Sequence, residues 1–498
     1  MNATNKTIVL VLCIFCFSGT SFAQESEFPE KNNIGNPLIS GKSIYINDSQ
    51  TFEITGSGSN MWFDKDEFFY VAKKTTGDFI LTSKVEITTK TGNQHRKIGL
   101  MVRQSMDANS AYADVVLHAD GLVSLQYRTK AGANTEEIKF SEIGAQYLQL
   151  ERKNGRIFAR IAHSGEPLCK ANEIELPLQN TFFVGMAVCS HDPAFTVTGL
   201  FSNIRFDIPA AEGVDGYKTP SASRLELLNT ETGDRKVVYS TNDHIEAPNW
   251  SRDGKFLVYN SGGKLYRFDL KSGTSEQINT GFAINNNNDH GISFNGKYIA
   301  ISNHTNEMGK NNSIIYILPI KGGKPLRITE KGPSYWHGWS PDGKQIVYCA
   351  ERNGEYDVYQ ISSKSGKERQ LTQAHGLDDG PEYSPDGKYI YFNSTRTGKM
   401  QIWRMKTDGT QQEQVTYDEY NNWFAHPSPD NKNLIFISYP SEVPANSHPH
   451  NQRVMLRKLI LEEKKVIVLA YIYGGQGTFN VPSWSPDGKF VAFVSYTY

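Results

Sequence analysis

The chain has 498 residues, with 52 Lys and Arg against 53 Asp and Glu, so its formal charge is −1. A balance this close to zero removes the electrostatic case for nucleic-acid binding, and the length exceeds what one hydrophobic core serves, so two or three domains are expected. Aromatic residues at 12% and 42 glycines suit an all-β protein with many turns.

Residues 1–23 carry one Lys6, an apolar run from Ile8 to Phe17 and the small-residue pattern Ser21-Phe22-Ala23 before Gln24. This reads as a cleaved secretory signal, because the apolar run is too short to span a bilayer comfortably. A periplasmic or secreted product is expected, with no membrane span after cleavage. Three cysteines remain: Cys169 and Cys189 are candidates to pair in an exported protein, and Cys349 sits in an apolar run as a core thiol.

From 36 to 208 short runs alternate apolar and polar residues, as in Phe79-Ile80-Leu81-Thr82-Ser83-Lys84-Val85 and Lys97-Ile98-Gly99-Leu100-Met101-Val102-Arg103. No helical period appears, and the pattern predicts an antiparallel β-sandwich. Gly99-Leu100-Met101-Val102-Arg103 followed by Ala111-Tyr112-Ala113 resembles the concanavalin-like jelly-roll sandwiches of secreted sugar-processing proteins, which implies either a carbohydrate-binding module or a spacer. Residues 209–220 mix Pro, Gly and polar residues without a period and read as a linker.

From 221 to 498 one unit recurs. Trp336-His337-Gly338-Trp339-Ser340-Pro341-Asp342-Gly343-Lys344 ends in a turn and runs into the β-prone stretch Gln345 to Cys349. Variants of that turn place their Asp or Asn at 253, 295, 342, 386, 430 and 487, steps of 42, 47, 44, 44 and 57 residues. Pro sets φ at the first central position, Asp bonds back to the backbone, and Gly supplies the positive φ that closes the turn. Two further turn signals, as at Arg352-Asn353-Gly354 and Lys364-Ser365-Gly366, split each unit into four strands, one propeller blade. Six blades follow, the last completed by the strands around Arg224 to Leu228 and Lys236 to Tyr239, so that both ends close the ring and leave no open edge. The serial Trp-Ser-Pro-Asp-Gly-Lys turns resemble the TolB-like family of six-bladed propellers, over roughly the last 275 residues. The fold class is therefore all-β: a β-sandwich, then a six-bladed TolB-like propeller.

In a four-stranded blade the loops leading into the innermost strand and those between the second and third strands open on one face, opposite the Pro-Asp-Gly turns. His244, His290, His304, His337, His375, His426, His448 and His450 all fall in or beside loops of that face. Imidazole is a common metal ligand and a ready general base. The expected metal set is drawn from His290, His337, His426, His448 and His450, for a divalent ion such as manganese, zinc or calcium. The alternative is that these histidines bridge blades and that no cofactor is held. Asp289, Trp336, Asp378, Asp379, Asn422, Trp423, Gln476 and Asn480 are candidate ligand contacts. Arg352, Arg396 and His337 are candidate catalytic groups, the guanidinium forks suiting a carboxylate. No nucleophile elbow, phosphate-cradling loop or His-Glu-x-x-His motif is present.

Two functions stand side by side at this level. Within TolB-like propellers, the oligogalacturonate lyases use a histidine-bound metal on such a face, and that resemblance implies a glycan or other small anionic ligand, with metal-assisted cleavage of a uronate polymer. The other implied role is a scaffold of the cell envelope with a protein partner on the same face.

Overall fold

The computed structural model describes residues 27–216, 218–219, 221–307 and 312–498. The expected signal segment lies outside them. Every described element of regular structure longer than a single turn is a strand, and among the described residues no helix is long and apolar enough to cross a membrane.

Two antiparallel sheets form the first part. One has eight strands, in which Lys65–Thr75, Phe182–Cys189, Lys97–Arg103 and Tyr112–His118 lie at the centre; the other has seven, centred on Tyr147–Lys153, Phe79–Ile87 and Val197–Asp207. Alternation puts Leu81, Ile98, Leu100, Val115, Leu148, Leu150, Val184 and Phe201 between them as one core. The edge strand Glu30–Ile34 begins before residue 36, since its polar sequence has no apolar alternation to mark it. Cys169 and Cys189 are both free thiols. Cys189 ends a strand of the eight-stranded sheet, whereas the Cys169 thiol accepts from the amide of Ile161 in the seven-stranded one, so the pair expected as an alternative does not form.

Five four-stranded sheets and one closing sheet make up the rest. Blades one to five begin with the strands Glu246–Trp250, Asn286–Ile292, Ser334–Trp339, Asp378–Tyr383 and Asn421–Pro427. In blade six Phe490–Thr497 pairs with Ala222–Asn229, which pairs in turn with Arg235–Thr241, so the ring is sealed by strands from both ends.

The turn chemistry repeats atom for atom. Ser251, Ser293, Ser340, Ser384, Ser428 and Ser485 each donate a hydroxyl hydrogen bond of 2.6 to 2.9 Å to the Asp or Asn two residues on. Each serine oxygen also accepts from the amide five residues ahead. Neighbouring blades are tied by the tryptophans beside these turns: the Trp339 indole donates to the Gly291 carbonyl and Trp484 to that of His426, both at 2.9 Å.

The sandwich is bolted to blade six through buried charge. Glu226 accepts from Arg205 of the sandwich at 2.5 Å on Oε2 and from Arg235 at 2.8 Å on Oε1, where Ser495 also donates. Burial alone would raise this carboxyl, but the two guanidinium groups hold it far below the usual range. Arg224 pairs with Asp207 at 2.5 Å across the same boundary, and Arg453 of blade five pairs with Glu151 of the sandwich.

Candidate functional site

The site is built by a bulge. The first strand of each of blades one to five slips register with its neighbour two to seven residues ahead of the turn serine. Four residues before that serine, Ala247, Gly380 and Phe424 all take left-handed backbone, at φ 55°, 60° and 54°. A bulge of this kind re-aims the side chains beside it. Here it sends polar groups of successive blades toward one another at the axis.

The centre is an ion pair between blades three and four. His337 Nε2 lies 3.1 Å from Asp379 Oδ1, both nearly buried. Burial opposes charge on both, yet the Asp379 carboxylate holds His337 above the ordinary imidazole value, and His337 holds Asp379 down to about 2. Asp289 of blade two faces the same pair. Its burial, only partly offset by His337, pushes its carboxyl up to about 7, and Asn287 donates to it at 2.8 Å. His448, from the long loop after the second strand of blade five, donates from Nδ1 to the Gln476 amide oxygen at 2.6 Å and stands edge-on to Trp423 and Phe424. Gln476 in turn accepts from Asn480 at 3.0 Å. Half-buried Tyr335 and Tyr356, with ring centres 6.4 Å apart, edge this group, and the charge of Asp289 reaches Tyr335.

Of the candidates read from the sequence, Asp289, Asp379, His337, His448, Gln476 and Asn480 lie together. The others do not. Arg352 is held by Glu368 at 2.9 Å, by the carbonyls of Pro333 and Glu351 and by the Ser334 hydroxyl. Arg396 pairs with Asp378 at 2.6 Å and lies over the Trp403 ring. Both arginines are latches inside their own blades, with their forks already filled, and Asp378 is spent on the same latch. Trp336 and Trp423 are fully buried and offer no stacking face; a Cβ on Gly291 would sit 1.9 Å from the Trp336 ring. Asn422 is likewise buried, donating to Asp418 and accepting from Ser438.

The expected metal set also changes. Among the described residues, the one group of three His, Cys or acidic side chains whose ligand atoms all lie within 4.8 Å of one another is His244, Glu246 and His450. His290 is sealed in blade two against the Val258 carbonyl at 3.3 Å. His426 faces Glu382 at 2.5 Å and the Phe479 carbonyl at 3.3 Å, deeper in the ring. Neither meets His337 in such a group. Of the five expected ligands only His450 stands in one, and His244 and Glu246 were not among them. Glu246 has a readable mark, however: it lies five residues before the turn serine, as Asn288, Tyr335, Asp379 and Asn480 do in their blades.

Two cavities lie away from this face. One of about 280 Å³ is lined by Glu142, Ile161, His163 and Cys169. Another of about 360 Å³ runs between sandwich and blade five, with Arg160, Tyr420, Arg453, Tyr471 and Tyr473 in its walls.

Fold, closure and turn chemistry define a TolB-type six-bladed propeller preceded by a β-sandwich. Residues 291–497 match the family model described as the TolB beta propeller domain. An uncharacterised protein of Agrobacterium fabrum is 48% identical over 275 residues, which span 55% of this chain and 92% of that one. A solved structure from Agrobacterium tumefaciens, assigned provisionally to TolB, shares 47% identity with a TM-score of 0.54, covering 56% of this chain and all of that one. The Tol-Pal system protein TolB of Francisella tularensis is 29% identical over 133 residues, 26% of this chain and 30% of that protein. The chain belongs to the TolB β-propeller family. The sandwich lies outside the matched residues of the family model.

Proposed function

We propose that this protein is an exported binding protein that takes a neutral glycan fragment at the mouth of the propeller. The observation behind the reading is the buried group Asp289, His337, Asp379 and His448 with half-buried Tyr335 at its edge. Sugar hydroxyls need acceptors and donors side by side, which carboxylates, imidazoles and the Gln476 and Asn480 amides supply. A tyrosine ring suits the apolar face of a pyranose. An anionic ligand fits less well than the sequence implied: Arg352 and Arg396 are committed elsewhere, and three carboxylates, Glu246, Asp289 and Asp379, stand near the mouth. A uronate would meet repulsion there rather than a guanidinium fork. The export reading rests on the leader-like residues 1–23.

The scaffold reading keeps one specific support, the matched stretch of a relative named for the Tol-Pal system. Thermal shifts separate the two. Neutral, anionic and cationic oligosaccharides are each added to the purified chain, and a neutral one is expected to raise Tm by mass action, with oligogalacturonate giving none. If no oligosaccharide shifts Tm at millimolar concentration, the glycan reading fails and the protein-partner reading takes its place.

A further inference from the structure

His244, Glu246 and His450 come from two segments far apart in the chain. His244 lies in the loop leading into blade one, Glu246 opens its first strand, and His450 ends the long loop of blade five. Each offers one ligand atom within 4.8 Å of the other two. His244 Nε2 and Glu246 Oε1 are 3.4 Å apart. Two ligands of a tetrahedral ion bound at about 2.0 to 2.1 Å stand about 3.3 to 3.4 Å from each other. An imidazole nitrogen and a carboxylate oxygen at that separation need a cation between them, whether a metal ion or a proton.

The surroundings hold the donors in place. His244 Nδ1 lies 3.2 Å from the Ser221 hydroxyl, and its ring stacks on Tyr496 at 4.7 Å with 16° between planes. When Nδ1–H donates to that hydroxyl, the Nε2 lone pair points at Glu246. Asn288 supports Glu246 Oε1 at 3.4 Å, and Gly477 approaches so closely that a Cβ there would lie 2.8 Å from the glutamate side chain. Gly216 packs against the His450 side chain in the same way, at 2.7 Å. Partners that fix the tautomer and orientation of a ligand are what a metal site requires beyond its ligands.

We propose that His244, Glu246 and His450 bind one divalent cation of the zinc type, with a fourth position left to water or to a ligand atom. Two imidazoles and a carboxylate suit zinc rather than calcium, which takes six to eight oxygens. The ion joins the loop of blade five to the start of blade one across blade six, so it clasps the seam where the ring closes. The proposal uses none of Asp289, His337, Asp379 or His448, and with an ion on Glu246 the carboxylates left to face a ligand at the mouth are Asp289 and Asp379.

The test is zinc binding by the whole mature protein after chelator treatment, by calorimetric titration at pH 7.5, with cobalt as a spectroscopic substitute. One equivalent of zinc is expected, with visible d–d bands from cobalt. Glu246→Gln and His450→Ala are each expected to weaken zinc by 100-fold or more and to abolish the bands. Removing a supporting partner costs about 10- to 100-fold, so Asn288→Ala should fall about 10-fold, and exposed His375→Ala should bind as the parent does. Circular dichroism of the metal-free variants checks folding, and either variant alone decides the matter if the other fails to fold. Absence of stoichiometric uptake, or affinity unchanged in the folded variants, overturns the site.

Discussion

His337 and Asp379, on the first strands of adjacent blades, form a nearly buried ion pair at 3.1 Å in the middle of the propeller face. Removing one member of a buried pair leaves the other charge uncompensated and costs about 3 to 5 kcal/mol. Asp379→Asn should therefore lower stability by that order in denaturant titration. The pH dependence has two arms. His337 titrates above its unfolded value, so its contribution is complete below about pH 6.5 and is lost as pH rises through the raised folded value. Asp379 titrates at about 2, so its contribution is present above about pH 4 and is lost as pH falls toward 2. Both arms should flatten in Asp379→Asn.

Asp289 behaves in the opposite sense. Its folded carboxyl titrates at about 7, well above the unfolded value of about 3.9. Between those values the native state binds the extra proton, so stability falls as pH rises through that window. Asp289→Asn removes this loss. Its Tm should exceed the parent's at pH 8 and match it more closely at pH 4, while glycan binding is lost at both.

Glu226 between Arg205 and Arg235 joins sandwich to propeller. Glu226→Ala strands two buried guanidinium groups, at a cost of about 3 to 5 kcal/mol. Scanning calorimetry should show the parent melting in one transition and the variant in two, the sandwich separating from the ring. A single transition shifted by less than a degree would contradict this.

Each turn serine makes the same two bonds, so the six sites should be interchangeable. Ser340→Ala and Ser485→Ala should each cost about 1 kcal/mol, read from urea midpoints, and neither should alter ligand affinity.

The blades were readable because their turn chemistry is local: Ser and Asp or Asn at fixed offsets, with Pro and Gly in most units, dictate the same hairpin six times. The closing sheet was readable by counting strands. The mouth was only half readable. His337, Asp289 and Asp379 stand out as polar residues on strands otherwise destined for burial, but which of them meet depends on the bulge in each first strand, and Ala247 and Phe424 carry no residue signal for left-handed backbone. Arg352 and Arg396 misled because their partners, Glu368 and Asp378, lie sixteen and eighteen residues away. Their own spacing held the warning: each falls twelve residues after its turn serine, in consecutive blades, as a structural repeat does and a unique catalytic group does not. For His244 and Glu246 the legible signal is the carboxylate two residues from the histidine, whereas their meeting with His450 depends on the long loop of blade five.

The position of a bound glycan separates the propeller mouth from every other surface. Crystals of the mature protein are soaked with the neutral oligosaccharide that gives the largest thermal shift. The expected result is sugar density against Tyr335 with hydroxyls on Asp289 and Asp379, absent from Asp289→Asn crystals soaked alike. Density instead in the cleft between Tyr420 and Tyr473, or on the sandwich, with the mouth unchanged, would contradict the account.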